Sequence, residues 1–426
     1  MMQRTKDLSV YAGGHVNTHS RREVMKTMGY AAIAAGVCGK VPSLLASPAP
    51  TAPVAIGTCK TYNSAELLST LDKMFDQLGG LKRIVNGKTV AIKINCTGEA
   101  TWRLGFLPLG DTHYTSPEVI TAAVHLMGKA GAKRIRILES SFSSVPLEEL
   151  LLQANWDPRQ IASAASNVDF ENTNFLGKGK KYSRLVVPFG GYLYPAFELN
   201  HSYSDCDVFV SMAKLKEHET TGFTLSMKNC FGISPCSIYG SSAGIDEPDE
   251  NPRGGRGVLH SGNRQPSKIA PAELNPTSPR QDGYRVPRAV VDLVAARPID
   301  LQIIDGVKSM SGGEGPWAPG VAAVQPGLLV AGTNPVATDA VGVALMCLDP
   351  MADRGTHPFE TCDKSRACDN MLRLAEQAGL GTRDLNRIEV IGARIKDVAV
   401  NYAAQRTASL MRYGPLPTRG ISPALM

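Results

Sequence analysis

Lysines and a histidine crowd one short stretch of this chain. Lys214-Leu215-Lys216-Glu217-His218 is followed shortly by Lys228-Asn229. Ammonium groups this close suit a negative ligand, either a carboxylate or a phosphate. His218 adds a group that can move a proton or bind a metal. A second basic group precedes it, Lys93-Ile94-Asn95. Lys93 closes an otherwise apolar run, so its charge must reach the end of that run or meet an acid. Two acidic groups follow. Asp305-Gly306 leads to Gly312-Gly313-Glu314-Gly315-Pro316, where backbone can approach a ligand closely or simply turn. Asn334-Pro335-Val336-Ala337-Thr338-Asp339 reads as a helix start, with Asn334 as cap and Pro335 at the first helical position.

These residues define an expected site. His218, Lys216 and Asp305 are the candidates for chemistry. Lys93, Asn95, Lys214, Lys228, Asn229 and Gly315 are the candidates for holding the ligand. His218, Asp305 and Asp339 carry donor atoms for a metal ion, should one be used. Each group also has a plainer reading: an ion pair at Lys93, a solvated loop at 214–218, ordinary turns at 305–316, and capping at 334–339. Among the other histidines, His113 precedes a helix and could face the site, while His125 falls among core positions of that helix. His260 and His357 lie in loop-like sequence. The chain has no H-E-x-x-H, G-x-S-x-G or P-loop segment. It has no C-x2-C-x2-C run, hence no ferredoxin-type iron–sulfur motif, and its sequence names no cofactor.

The elements that must position these groups alternate between strand and helix. Residues 89–94 form a near-continuous apolar run and predict a buried strand. Ser116-Pro117-Glu118 opens a helix whose apolar residues, Val119, Ala122, Ala123, Leu126 and Met127, recur at helical spacing. Residues 134–138 are the next strand, so the pair should be parallel. Strands are further predicted at 207–211, 300–304, 328–331 and 388–391, and helices at 222–231, 287–296, 335–348 and 367–378. The fold class is therefore α/β, layered, with a largely parallel sheet. Lys93, the 214–218 segment and Asp305 all fall at the carboxyl ends of strands, where open α/β sheets bind ligands. Residues 233–285 are dense in Pro, Gly, Ser, Asn and Arg, and read as one long loop-rich insertion, a lid or a partner-docking segment.

The ends of the chain carry a different message. Ser20-Arg21-Arg22-Glu23-Val24-Met25-Lys26 precedes a mildly apolar run at 27–37 and a Pro/Ala-rich stretch at 41–53. That order matches a twin-arginine export signal, cut near Ala46. The apolar run is too short to span a bilayer, so no stable membrane span is expected after processing. The chain carries a net charge of +6, of which six basic and two acidic residues before position 47 supply four units. The remainder is nearly neutral, which argues against nucleic acid as a partner. Eight cysteines follow the signal; Cys206 and Cys347 sit in apolar runs as expected core thiols, and Cys230/Cys236 and Cys362/Cys368 are close in sequence. The expected layout is a signal at 1–46, a lead-in at 47–87, one α/β domain at 88–400 with the insertion, and a tail at 401–426.

In this order the motifs resemble the family catalogued as domain of unknown function 362. The matching pieces are Lys93-Ile94-Asn95, Thr115-Ser116-Pro117-Glu118, Lys214 to His218 with Met227-Lys228-Asn229, Asp305-Gly306 with Gly315-Pro316, and Asn334 to Asp339. The resemblance spans about residues 88–392. It departs at Asn334, where the family usually has an acid. Some relatives carry a ferredoxin-like cluster segment, which this chain lacks. The resemblance implies no settled reaction. The expected function is an exported enzyme or enzyme-like protein binding a small anion, with metal or redox assistance left open. The expected partners are the twin-arginine machinery and that anion. The alternatives are a solute-binding or accessory protein without catalysis, and a protein-interaction module.

Overall fold

The computed structural model describes residues 49–419, apart from 143, 253–254, 361 and 363–365. The expected export signal, 1–46, lies outside the described residues.

Eight strands form the main sheet. In chain order they are β1 (Val54–Thr58), β2 (Thr89–Lys93), β3 (Arg134–Glu139), β4 (Val168–Asn172), β5 (Val208–Lys214), β8 (Leu301–Gly306), β9 (Leu328–Gly332) and β10 (Val390–Gly392). Two short strands, β6 (Glu217–His218) and β7 (Gly222–Phe223), make a separate hairpin between β5 and β8. The spatial order of the sheet is β10-β1-β9-β8-β5-β2-β3-β4. Only β9 runs against the rest, pairing antiparallel with both β1 and β8. The other neighbours pair in parallel. The layered, largely parallel sheet expected from the sequence is thus present. Every residue of β5 and β8 is buried, as strands covered on both faces must be.

Strand alternation divides the core into two layers. Val90, Ile92, Val208, Val210, Met212, Leu301 and Ile303 face one layer. Ala91, Phe209, Ala213 and Ile304 face the other. The first layer is covered by α1 (Ser64–Gln77) and α2 (Pro117–Lys129). The second is covered by α3 (Leu225–Asn229), α5 (Asp282–Ala296) and α6 (Pro335–Leu345).

The stretch 47–87 is more than a lead-in. It supplies β1 and α1, the latter capped by Asn63, whose side chain accepts from the Ala65 and Glu66 backbone N–H groups. The stretch 233–285 is not a bare loop either. It contains a helical turn at Cys236–Tyr239 and α4 (Gly257–His260), with Ile238, Tyr239, Val258 and Leu259 buried. α5 starts five residues earlier than its apolar period indicates and carries Pro287 inside it. The tail is anchored by α8 (Tyr402–Tyr413), whose first residue donates from its hydroxyl to Leu215 O at 2.7 Å. A further helix, α7 (Met371–Gln377), packs with α5 and α6.

Among the cysteines, Cys362 and Cys368 are joined as a disulfide, and Cys230 and Cys236 are separate thiols. Cys347 is exposed, not a core thiol, because it leaves the end of α6 in a left-handed turn with φ of 59°. Cys206 is half-buried. His125 likewise faces solvent, on the outer side of α2.

Candidate functional site

A cavity of about 350 Å³ opens beyond the carboxyl ends of β2, β3 and β5. Lys93, Asn95, Lys216, His218, Lys228 and Asn229 line it, six of the residues expected from the sequence. Four cations (Lys93, Lys216, Lys228, Arg256) face two carboxylates (Glu139, Glu314) among its lining residues.

The lysines differ in what they touch. Lys93 Nζ is fully engaged, with Glu139 Oε1 and Ile94 O at 2.6 Å and Asn229 Oδ1 at 3.2 Å. Glu139 in turn accepts from the Cys96 and Ser140 backbone N–H groups. Asn229 donates to Lys93 O, Ser211 Oγ and Met212 O, which ties β2 to β5. This pair and its amide form the floor of the cavity. Lys216 Nζ donates to His113 O at 3.0 Å and Glu314 O at 2.6 Å. That leaves one of its three N–H donors without a protein acceptor among the described residues.

Lys228 is the exception. Its Nζ lies 4.6 Å from the Phe231 ring centre, and among the described residues no acceptor stands within hydrogen-bond distance. Burial, opposed by Glu314 and reinforced by neighbouring cations, pushes both Lys216 and Lys228 down to about 7. Lys228 is held in place from below. It sits on α3, entered through Leu225 at φ of 51°, and the Asp339 carboxylate accepts from the Ser226 and Met227 N–H groups at the start of that helix.

His218 sits on the β6–β7 hairpin. Its Nδ1 accepts from Thr220 N at 3.0 Å, which leaves the ring proton on Nε2 in the neutral form. Burial and the nearby Lys228 hold its pKa well below the usual imidazole range. Glu314, 3.6 Å from that ring, accepts from Glu219 N and Trp317 Nε1. Burial would raise its carboxyl, but these two donors, and His218 whenever it is protonated, bring it down.

Residues 90–344 match the family described as Domain of unknown function (DUF362). The chain belongs to the DUF362 family. It is 24% identical over 303 residues to the Thylakoid-associated protein sll1697 of Synechocystis sp. (strain ATCC 27184 / PCC 6803 / Kazusa), covering 68% of this chain and 73% of that protein. A crystal structure of a Thermotoga maritima protein aligns with a TM-score of 0.29 at 14% identity, over 58% of this chain and 51% of that one. The lactate racemase apoprotein from Thermoanaerobacterium thermosaccharolyticum aligns with a TM-score of 0.31 at 11% identity, over 68% and 56%. The chain thus spans about half the length of each of these solved structures.

Within this DUF362 chain, four of the expected residues lie away from the cavity. Lys214 and Asp305 are register partners on adjacent parallel strands. Alternation turns both toward the α1/α2 layer, whereas Lys93 points to the other side. There Lys214 Nζ contacts Asp305 Oδ2 at 2.9 Å, Tyr62 Oη at 2.9 Å and Gly110 O at 2.5 Å. Asp305 also accepts from Ser116 N and Val307 N. Asp339 is spent on α3, as described. Gly315 does not line the cavity; a Cβ there would meet the Trp317 ring at 2.2 Å, so its place is to let that indole pack. His218, Asp305 and Asp339 therefore have separate partners, and among the described residues no three such side chains gather to hold a metal.

The structure adds residues that the sequence did not single out. Glu139 and Glu314 are the acids of the cavity. Arg256, from the 233–285 stretch, donates to Ser234 O and Ser140 O at 2.7 Å, and His260 of α4 lines the same wall. Trp102 and Trp317 meet edge to face at 5.3 Å and wall the cavity together with Phe142. Two buried oxygens on the lining, Asn95 Oδ1 and Thr224 Oγ1, have no hydrogen-bond partner among the described residues. Two of these carried a sequence signal: Glu139 ends the strand beside Lys93, where a buried lysine needs an acid, and Glu314 lies inside the Gly312 to Pro316 group.

Proposed function

We propose that this DUF362 chain is an exported protein that binds a small anion, a carboxylate or a phosphate, in the cavity beyond β2, β3 and β5, and acts on it as an enzyme. The observation that carries this reading is Lys228: a buried ammonium with no acceptor among the described residues, beside Lys216 and Arg256. A buried cation left unpaired is costly, and an anionic ligand removes that cost. His218 and Lys216 are the proton-transfer groups, and Lys228 and Arg256 the anion holders. Lys93, Glu139 and Asn229 keep the floor rigid.

Export is supported by the Arg21-Arg22 pattern ahead of an apolar run. The Cys362–Cys368 disulfide suits an oxidising compartment. Fusing residues 1–50 to a reporter tests this part. Export should be lost in the Arg21→Lys, Arg22→Lys double variant, and export that survives it would sink the twin-arginine reading.

Anion binding is tested by thermal melts with inorganic phosphate and with acetate. One or both should raise the melting temperature of the unaltered chain. In Lys228→Met that rise should vanish. The ligand-free variant should itself be more stable, by roughly 0.5–2 kcal/mol, because an unpaired buried charge is gone. A variant that keeps the full ligand-induced rise counts against Lys228 as the anchor.

A further inference from the structure

The Lys228 amine differs in kind from the other lysines of the cavity. Lys93 is tied to Glu139, and Lys216 rests on two backbone carbonyls. Both carboxylates on the lining already have partners: Glu139 takes Lys93 and two N–H groups, and Glu314 takes Glu219 N and Trp317 Nε1. Lys228 is instead flanked by the Phe231 ring. Glu314 and the Phe231 ring favour the charged nitrogen, but among the described residues no group accepts a hydrogen bond from it, and burial outweighs them. A buried amine in such surroundings favours its free-base form, which is a nucleophile toward carbonyl carbon.

We infer that Lys228 forms an imine with the carbonyl carbon of a small 2-oxo carboxylate held in this cavity. This rests on the anion-binding reading above and names the class of anion; toward a carbonyl ligand Lys228 acts as the free base, where toward phosphate or acetate it acts as the ammonium. Arg256 takes the carboxylate, and the spare N–H of Lys216 faces the carbonyl oxygen. Asn95 Oδ1 and Thr224 Oγ1, both without partners among the described residues, are there for the hydroxyl formed at the carbonyl carbon. The Nζ lone pair forms a C–N bond, and the carbonyl oxygen takes a proton from the Lys216 ammonium. Lys216 regains that proton from the Lys228 nitrogen. A second transfer by the same route releases the oxygen as water while the C–N double bond forms. The two amine hydrogens end in the water, and no oxidant or reductant is consumed. Burial supports this course, since it lowers both lysines to about 7 and so supplies a free amine and a proton donor in one cavity.

The test uses the full chain with pyruvate and sodium cyanoborohydride, which reduces an imine in place. Peptide mass mapping then locates the adduct, and melting temperatures with inorganic phosphate are taken on the same protein. The expected result is one reduced adduct at Lys228 that saturates with pyruvate, is competed by phosphate, and is lost in Lys228→Arg. Because the site is assigned on the unaltered chain, the result does not depend on the variant folding. A protein stabilised by phosphate that gives no adduct at Lys228 overturns the imine and leaves the anion reading standing. Label spread over surface lysines and unchanged in Lys228→Arg does the same. Stabilisation by neither phosphate nor pyruvate overturns both.

Discussion

Protonation of Lys216 and Lys228 couples two measurable properties in opposite directions. Both are lowered to about 7 by burial, while a lysine in the unfolded chain titrates near roughly 10.4. Between those values the unfolded chain binds more protons, so these two groups make the empty protein more stable as pH rises from about 7 to about 10. Anion binding needs the charged forms and should weaken over the same rise. Sulfate, whose charge is constant in this range, is the suitable probe. Its thermal shift should be large near about pH 6 and largely lost near about pH 9. A shift that grows with pH would show that other cations hold the anion. At this scale the sequence was informative about residue type but not about direction. Lys93, Lys214 and Lys216 all sit at strand ends, yet Lys214 turns to one face with Asp305 and Lys93 to the other. Strand-end position can be read from an apolar run. Which face a terminal residue takes depends on where the strand ends, to the residue, and on the partner across the sheet.

The elements show how groups that resemble site residues serve as fasteners. Lys214 and Asp305 are fully buried and join β5 to β8, with Tyr62 tying in the segment before α1. Lys214→Met leaves the Asp305 carboxylate uncompensated, and should cost roughly 3–5 kcal/mol in denaturant melts. Sulfate binding by the folded fraction should be unchanged, which separates this lysine from Lys228. Asp339 fastens α6 to α3 in the same way, through two N–H groups rather than a cation. The elements themselves were mostly legible. The periodic helix at 117–129 and the apolar strands at 89–93 and 301–306 appear within a residue or two of their expected limits. β1 was missed because a five-residue strand ending in Gly57-Thr58 carries little pattern. The buried turns of 233–285 were missed because they draw their stability from long-range packing rather than from local periodicity.

At the scale of the whole molecule, the body begins with β1 and not with the motif-bearing residues after position 88. Deleting residues 1–48 should leave the fold and its ligand-induced thermal shift intact. Deleting through residue 60 removes β1, exposes the edges of β9 and β10, and should give insoluble or unfolded protein by circular dichroism. A stable, cooperative fold after the longer deletion would overturn the central place given to β1. Among the described residues no helix is long and apolar enough to cross a membrane.

The seat of β1 also bears on when the chain can fold. It lies between β9 and β10, whose residues are synthesised some 270 and 330 positions later. A strand with both partners so distant has nothing to pair with while the chain is still emerging from the ribosome. Its closure is entropically late, as for other high contact-order pairings. The segment next to the N terminus is therefore the last to be locked into the sheet. That final pairing would then be a physical mark that the sheet is complete.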